Sequence, residues 1–169
     1  MYNLETLFTT NRIRFIRPCK IFINEMIETL NNPDIYCYLS ETHKDLTIED
    51  EIIWLENHQK DQLFSMIDLE TNEYIGNCGF NEIEDDIGTI GIFITPSFQN
   101  QGLGTEAISA LIDFGFNKLN LREINLVVFS NNERAIRCYR RLGFEEYNRI
   151  HNIHNCNNEL VDDIYMRLR

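Results

Sequence analysis

One stretch, residues 90–105, constrains the fold more than any other part of the sequence. It opens with the apolar run Ile-Gly-Ile-Phe-Ile, passes Pro96 and a short polar loop, and reaches Gly102 and Gly104 at the start of a long amphipathic segment. An apolar run that does not alternate with polar residues predicts a central strand, which we expect at 89–95. Apolar residues at helical spacing predict a helix over 102–119. A buried strand must therefore lead through a glycine-containing turn into a helix.

Such a turn can bind a phosphate or a diphosphate. The first N–H groups of a helix have no partner within the helix, and glycine lets a ligand approach the backbone closely. The spacing Gly102-Leu103-Gly104 matches neither the GxGxxG of dinucleotide-binding folds nor the GxxxxGK[ST] of P-loops. Taken alone, the two glycines are also compatible with tight packing of the helix against the strand.

The rest of the chain predicts a single domain, residues 1–169, because no linker, repeat or low-complexity tract interrupts it. Hydrophobic periodicity and turn residues give the element order β-α-α-β-β-β-α-β-α-β-β, an α/β fold with a mixed sheet. Besides the two elements above, strands are expected around 12–17, 63–69, 73–83, 124–129, 144–150 and 160–168, and helices over 22–30, after Thr47 and over 132–142. Residues 34–46 are expected to form a loop with at most a helical turn.

Thr47 is expected to cap the second helix. Acidic residues follow it at 49–51, where they suit the positive end of the helix dipole. Ile48, Ile52 and Leu55 are expected to face the core.

The charge balance excludes some partners. Lysine and arginine number 15 against 27 aspartates and glutamates, a net charge of −12. Such a chain has no electrostatic footprint for nucleic acid or for an anionic membrane. It would attract cations, including amines, although acidity is also a common means of keeping a protein in solution.

Cysteine usage indicates a reducing compartment, so we expect the protein in the cytoplasm. The five cysteines are scattered without a CxxC pair, and no apolar run approaches the roughly 20 residues that span a bilayer. His151, His154 and Cys156 lie close together in the sequence, but zinc usually takes four ligands and no fourth is evident. No metal is expected.

Two ordered motifs resemble those of the GNAT N-acetyltransferase superfamily. The segment Gln99-Asn-Gln-Gly-Leu-Gly104 resembles the acyl-CoA-binding signature Gln/Arg-x-x-Gly-x-Gly/Ala. The segment from Asn131 to Phe144 resembles the Asn-x-x-Ala-x-x-x-Tyr-x-x-x-Gly-Phe pattern. The resemblance implies a mixed, mostly antiparallel central sheet of six to seven strands with splayed central strands, flanked by about four helices. It points most closely to the ribosomal-protein-alanine and spermidine acetyltransferase branch.

The resemblance also implies a site for acetyl-CoA. The main chain of Ile92, Phe93 and Ile94 would bind the pantetheine arm, and the Asn132 side-chain amide would meet the same arm. The turn made of Asn100, Gln101, Gly102, Leu103, Gly104 and Thr105 would hold the diphosphate through backbone N–H groups.

Charge near the phosphates must come from outside this turn, because Asn100 and Gln101 are neutral. Helical spacing places Arg134, Arg137 and Arg141 on one side of a helix, from which Arg137 and its neighbours could face the phosphates. The alternative is a solvated helix face that pairs with glutamates.

Tyr139 is the candidate catalytic acid. The resemblance places its hydroxyl at the thioester sulfur, where it would protonate the departing thiolate. Periodicity alone would make the ring a core residue, since Ala135, Ile136 and Leu142 share its helical face.

No general base stands out. Thr89 occupies the strand position at which some family members carry a glutamate. Glu82 could act through water, and Glu41 lies where polyamine-acetylating relatives place substrate-binding acids. For each of these carboxylates taken singly, a solvated surface position is the favoured alternative.

The sequence therefore predicts an acetyl-CoA-dependent N-acetyltransferase whose acceptor is a primary amine: a polyamine, a small-molecule amine or a protein N-terminus. The alternative is a non-catalytic acyl-CoA-binding or regulatory module of the same fold, which the missing glutamate at Thr89 would favour. Because relatives often dimerise, a homodimer is also possible.

Overall fold

The computed structural model of the protein describes residues 4–169, and an eight-stranded sheet forms its centre. The strands are β1 (Thr6–Thr9), β2 (Ile13–Ile16), β3 (Leu63–Asp68), β4 (Tyr74–Glu84), β5 (Ile87–Ile94), β6 (Glu123–Phe129), β7 (Glu145–His154) and β8 (Leu160–Leu168). The helices are α1 (Ile23–Leu30), α2 (Pro33–Tyr36), α3 (Ile48–Asn57), α4 (Leu103–Asn117) and α5 (Glu133–Arg141). The strand order is β1-β2-β3-β4-β5-β6-β8-β7. Only β5 and β6 are parallel neighbours; every other pair is antiparallel.

This architecture confirms the expected fold class, a mostly antiparallel mixed sheet flanked by helices. It adds one short strand, β1, to the expected set. A register shift between Thr6 and Phe8 breaks the alternation of β1, so the sequence carries no period-two signal there. The helical turn allowed for within residues 34–46 is α2, whose cap Asn32 accepts a hydrogen bond from the Asp34 N–H at 2.9 Å.

Apolar side chains cover both faces of the sheet. The larger cluster lies under α4 and α5 and includes Phe64, Phe80, Leu111 and Leu126. The second cluster packs α1 and α3 against the other face and includes Met26 and other buried residues. None of the helices within residues 4–169 is long and apolar enough to cross a membrane.

The parallel pair β5–β6 is the feature that positions the site. Its paired residues run only from Ile87↔Glu123 to Thr89↔Asn125. Beyond Thr89, β5 continues to Ile94 and stays paired with β4, whereas β6 continues to Phe129 and pairs with β8. The two strands therefore separate, and no strand within residues 4–169 pairs with the edge of residues 90–94 that faces β6. This is the predicted splay.

Helix α3 begins where the sequence predicts. Thr47 and Asp50 form a capping box, in which the Thr47 hydroxyl accepts from the Asp50 N–H and the Asp50 carboxylate accepts from the Thr47 N–H. Leu55 is buried as expected, but the expectation for Ile48 is wrong, because 49% of its surface is exposed. As the first residue of the helix it lies at the end of the packed face, where Glu51 rather than Ile48 is buried.

Candidate functional site

A cleft of 490 Å³ opens beside the separated strands. The end of β5 (92–94) forms one wall, and the turn before α4 with the first residues of that helix forms the floor. Helix α5 and a segment of residues 34–39 complete the walls. The two motifs found in the sequence, far apart in the chain, therefore meet in one cavity.

The turn before α4 presents backbone donors without partners. The first hydrogen bond of the helix runs from the Glu106 N–H to the Gly102 carbonyl. Within residues 4–169 no acceptor is found for the N–H groups of Gly102, Leu103, Gly104 and Thr105. Gly102 adopts φ = 80°, a left-handed conformation that glycine tolerates best. This donor set suits a diphosphate, because phosphate oxygens are hydrogen-bond acceptors and the positive end of the helix dipole favours negative charge.

Arg134 fastens α5 to the same turn. Its Nη1 donates to Gln99 Oε1 at 2.9 Å and to Asn100 Oδ1 at 3.2 Å. Gln99 in turn donates through Nε2 to the carbonyl of Ile94, at 2.9 Å. The first signature residue therefore links the end of β5 to a cation on the opposite wall, and that cation lines the cleft.

Tyr139 lies in the cleft as the motif predicts. Its ring packs edge-on against Phe144, with ring centres 5.9 Å apart. The hydroxyl makes no hydrogen bond with any of residues 4–169, which leaves its proton available to a ligand. Burial raises the pKa of Tyr139, and the neighbouring Cys138 adds to the effect. The hydroxyl is therefore in its neutral, proton-donating form at physiological pH.

Asn132 and Cys138 complete the α5 wall. The Asn132 side chain caps α5, because its Oδ1 accepts from the Ala135 N–H at 3.3 Å, and the residue lines the cleft. In the described chain the Nδ2 group of Asn132 makes no further hydrogen bond and can reach a ligand. Cys138 Sγ lies 3.2 Å from Thr105 Oγ1, so that α5 also contacts the first turn of α4.

Most of the predicted cofactor residues meet in the cleft; Ile92, Phe93, Ile94, Asn100, Gly102, Leu103, Gly104, Thr105 and Asn132 all line it. Gln101 and Arg137 lie outside this lining. The Gln101 side chain donates to the Ser97 carbonyl at 2.8 Å. Arg137 is exposed and pairs with Glu133 at 3.3 Å. Arg134 and Arg141 line the cleft, so the structure favours Arg134 over Arg137 as the phosphate-side cation.

The candidate general bases do not line the cleft. Glu82 and Glu41 are both exposed and lie outside the lining of the cleft. Glu82 follows an irregularity in β4, opposite Thr89. Asp163, which the sequence analysis did not single out, is a half-buried residue of β8 paired with Phe129 of β6, and it too lies outside the lining of the cleft. Partial burial raises the pKa of Asp163, and the charge of Glu41 raises it further.

The cluster considered as a metal site does not converge. His151 Nδ1 lies 3.2 Å from Asp162 Oδ2, and His154 Nδ1 lies 2.8 Å from Asn158 Oδ1. Cys156 lies near Cys37 instead. In the part of the chain that the structure describes, no group of three or more histidine, cysteine, aspartate or glutamate side chains is arranged to hold a metal ion.

Comparison with known proteins agrees with this geometry. The uncharacterized N-acetyltransferase p20 of Bacillus licheniformis is 35% identical over 105 residues, which cover 61% of this chain and 58% of p20. Spermidine N(1)-acetyltransferase of Escherichia coli (strain K12) is 47% identical over 53 residues, 31% of this chain and 28% of that protein. The matches therefore span less than two thirds of either relative.

The fold has solved counterparts. Spermidine N-acetyltransferase from Vibrio cholerae, crystallised in complex with CoA and spermine, aligns over 94% of this chain and 96% of that chain, with a TM-score of 0.86 and 21% identity. The model of the acetyltransferase (GNAT) domain matches residues 14–145, well over half of the sequence. The chain belongs to the GNAT acetyltransferase family.

Proposed function

We propose that the protein is an acetyl-CoA-dependent N-acetyltransferase that acetylates a primary amine. One observation carries the proposal: the N–H groups of Gly102–Thr105, which have no acceptor within residues 4–169, lie beside the unpaired edge of β5, in a cleft that Tyr139 also lines. An anion site, a peptide-like edge and a proton donor in one cavity match the parts of an acyl-CoA thioester.

The chain's own residues would bind acetyl-CoA along the length of the cleft. The N–H groups of residues 102–105 hold the diphosphate, and Arg134 adds positive charge at the same end. The main chain of residues 92–94 and the Asn132 amide hold the pantetheine arm. Acetyl-CoA supplies an acetyl group already activated as a thioester, so that no covalent bond to the protein is needed.

Tyr139 would act as the general acid. As the amine nitrogen bonds to the carbonyl carbon and the carbon–sulfur bond breaks, the hydroxyl donates its proton to the departing sulfur, which stabilises the thiolate. The nitrogen then loses its extra proton to solvent, and the tyrosine regains a proton from solvent. The raised pKa of Tyr139 keeps that proton in place until it is needed. A packing role alone does not account for a tyrosine that lines the cleft and whose hydroxyl makes no hydrogen bond with any of residues 4–169.

The amine must lose a proton before it attacks. We propose that solvent removes it, with Glu82 or Glu41 on the acceptor side as carboxylates that attract the cation. The net charge of −12 also favours a positively charged acceptor. Spermidine acetyltransferases among the relatives make a polyamine one candidate, beside a small amine or a protein N-terminus.

We also propose that the reaction takes place in the cytoplasm. Five free cysteines fit a reducing cytoplasm. A homodimer stays a prediction.

A thiol-release assay tests the proposal. Purified protein is mixed with acetyl-CoA and, in turn, spermidine, a small monoamine and a peptide with a free N-terminus, and the freed thiol is measured. Amine-dependent release is expected, and Tyr139→Phe should lower kcat about 100-fold while the calorimetric Kd for CoA stays within about twofold. Tyr147→Phe, an exposed tyrosine outside the cleft, is the matched control.

The possible results separate catalysis from simple binding. CoA binding without thiol release for any amine would favour the non-catalytic module. Equal turnover by wild type and Tyr139→Phe would show that Tyr139 is not the acid.

A further inference from the structure

We infer that Arg12, on the turn between β1 and β2, is a positioning residue for the diphosphate site; this inference rests on the proposed function. Arg12 lies outside the lining of the cleft, on the far side of the turn that precedes α4. It therefore acts on the ligand through the backbone that it holds.

Three hydrogen bonds join Arg12 to that turn and to α4. Its Nη1 donates to the Gln101 carbonyl at 2.8 Å, and its Nε donates to Glu106 Oε2 at 2.7 Å. Its backbone N–H donates to Glu106 Oε1 at 2.8 Å. The Thr10 hydroxyl donates to the same Oε1 at 2.6 Å. Thr10 and Arg12, in the turn between β1 and β2, thus both donate hydrogen bonds to Glu106 in the first turn of α4.

The bond to Gln101 fixes the direction of a ligand-binding amide. The carbonyl of Gln101 and the N–H of Gly102 belong to one peptide group, and in a trans peptide they point in opposite directions. Holding the carbonyl toward Arg12 therefore turns the Gly102 N–H away from Arg12. Consistently, a Cβ placed on Gly102 would point at Arg12, 3.5 Å from Nη2. Glycine has a wide range of backbone conformations, and the hydrogen bond from Arg12 to the Gln101 carbonyl restricts the orientation of the peptide group that joins Gln101 to Gly102.

Arg12 also neutralises the negative charge of Glu106. Glu106 lies in the first turn of α4, next to the residues proposed to bind the diphosphate. Partial burial raises the pKa of Glu106, but the hydrogen bonds from Thr10 and Arg12 outweigh it and hold the pKa below its usual value, so the side chain is a carboxylate. Without Arg12 this negative charge would be left uncompensated by a cation, one residue from Thr105 of the proposed diphosphate turn. With Arg12 the pair is neutral.

The test compares ligands with and without a diphosphate. Variants Arg12→Gln, Arg12→Lys and the control Arg14→Gln are titrated with CoA by calorimetry, and KM is measured for acetyl-CoA and for S-acetylpantetheine, which lacks the diphosphate. Arg14 is on β2, and its contact runs to Asn72, away from the cleft.

Arg12→Gln should raise the Kd for CoA, and the ratio of KM for acetyl-CoA to that for S-acetylpantetheine, by about tenfold, because a charge-assisted hydrogen bond and a neutralised carboxylate are lost. Arg12→Lys should recover little, because one ammonium cannot replace the planar fork that bonds Glu106 and Gln101 together. If Arg12→Gln does not fold, Arg12→Lys provides the same comparison of Kd and KM. Arg14→Gln should match wild type.

Three results would overturn the inference: unchanged CoA affinity in Arg12→Gln, an equal rise in KM for both thioesters, or full recovery in Arg12→Lys. All three would leave the proposed function intact, because none of them concerns turnover by the wild-type protein. Wild-type protein that binds no CoA would instead overturn the proposed function, and this inference with it.

Discussion

Thr89 and Asn125 are the last residues paired across the parallel strands β5 and β6. Beyond them β5 keeps its partner β4 and β6 keeps its partner β8, so each strand remains anchored while the space between them opens. The strands on both sides of the gap remain packed in one core, because the larger apolar cluster includes Ile90 of β5 as well as Leu126 of β6. An unpaired strand edge at the centre of a sheet, rather than at its rim, gives a ligand a backbone partner inside the molecule.

The pH dependence of kcat tests the state of Tyr139. Burial raises the pKa of Tyr139 above its ordinary value, and the acid form is the form present below the pKa. We therefore expect no fall in kcat as the pH rises from about 8 to about 10, the region where an ordinary tyrosine begins to titrate. A descending limb in that range, present in wild type and absent from Tyr139→Phe, would contradict this assignment.

The two glycines of the turn should respond differently to alanine. At Gly102, with φ = 80°, alanine is strained by about 1–2 kcal/mol and should weaken both folding and CoA binding. At Gly104 a Cβ would meet only Ile94 Cδ1 at 3.4 Å, an ordinary contact, and the backbone is helical. Gly104→Ala should therefore be at least as stable as wild type by urea denaturation and should retain CoA binding. Equal losses in both variants would show that the turn conformation is not the important feature.

Arg134 and Arg137 provide a matched pair on one helix. Arg134 bonds Gln99 and Asn100 across the cleft, whereas exposed Arg137 bonds only Glu133. We expect Arg134→Gln to raise the calorimetric Kd for CoA several-fold. Arg137→Gln should change it little, because an exposed pair of this spacing is worth only about 0.5 kcal/mol. The reverse ranking would restore Arg137 as the phosphate-side cation.

Much of this architecture could be predicted from local pattern. The capping box at Thr47, the turn between β3 and β4 and the glycines before α4 each carry their signal within a few residues. Strand β1 could not be predicted, because its irregular register removes the alternation. The prediction that Ile48 is buried was wrong for a different reason: helical spacing places a residue on a face of α3 but does not say where the packed part of that face ends.

The site was predictable only where a motif named its residues. The turn, the β5 edge and Tyr139, which the motifs named, line one cleft; their roles there stay predictions. Arg12 was not predicted, because its partner Glu106 is distant in the chain. Such pairs depend on tertiary packing, for which one sequence carries no periodic signal.

Glu51 should make stability depend on pH. Its surface is 4% exposed and its carboxylate has no hydrogen-bond or ion-pair partner among residues 4–169, so burial raises the pKa of Glu51, with only partial opposition from the charge of His58. A raised folded pKa means that the folded state binds the proton more tightly than the unfolded chain does. This contribution to stability is therefore present at low pH and is lost as the pH rises through the folded pKa.

Glu51→Gln removes that titration. At pH 7 we expect its melting temperature to exceed that of wild type by a few degrees, and the gap should close as the pH falls toward about 4, near the unfolded pKa of glutamate. Glu56→Gln, on the exposed side of α3, should show no such trend. A gap that is constant with pH would mean that the ionisation of Glu51 is not its cause.

Backbone amide exchange tests the central claim most directly, because the claim concerns backbone N–H groups. Deuterium uptake of the segment containing Gly102, Leu103, Gly104 and Thr105 is followed with and without saturating CoA. The proposed site predicts that CoA slows exchange in this segment and along residues 92–94. Unchanged exchange at residues 102–105 while CoA is bound would contradict it.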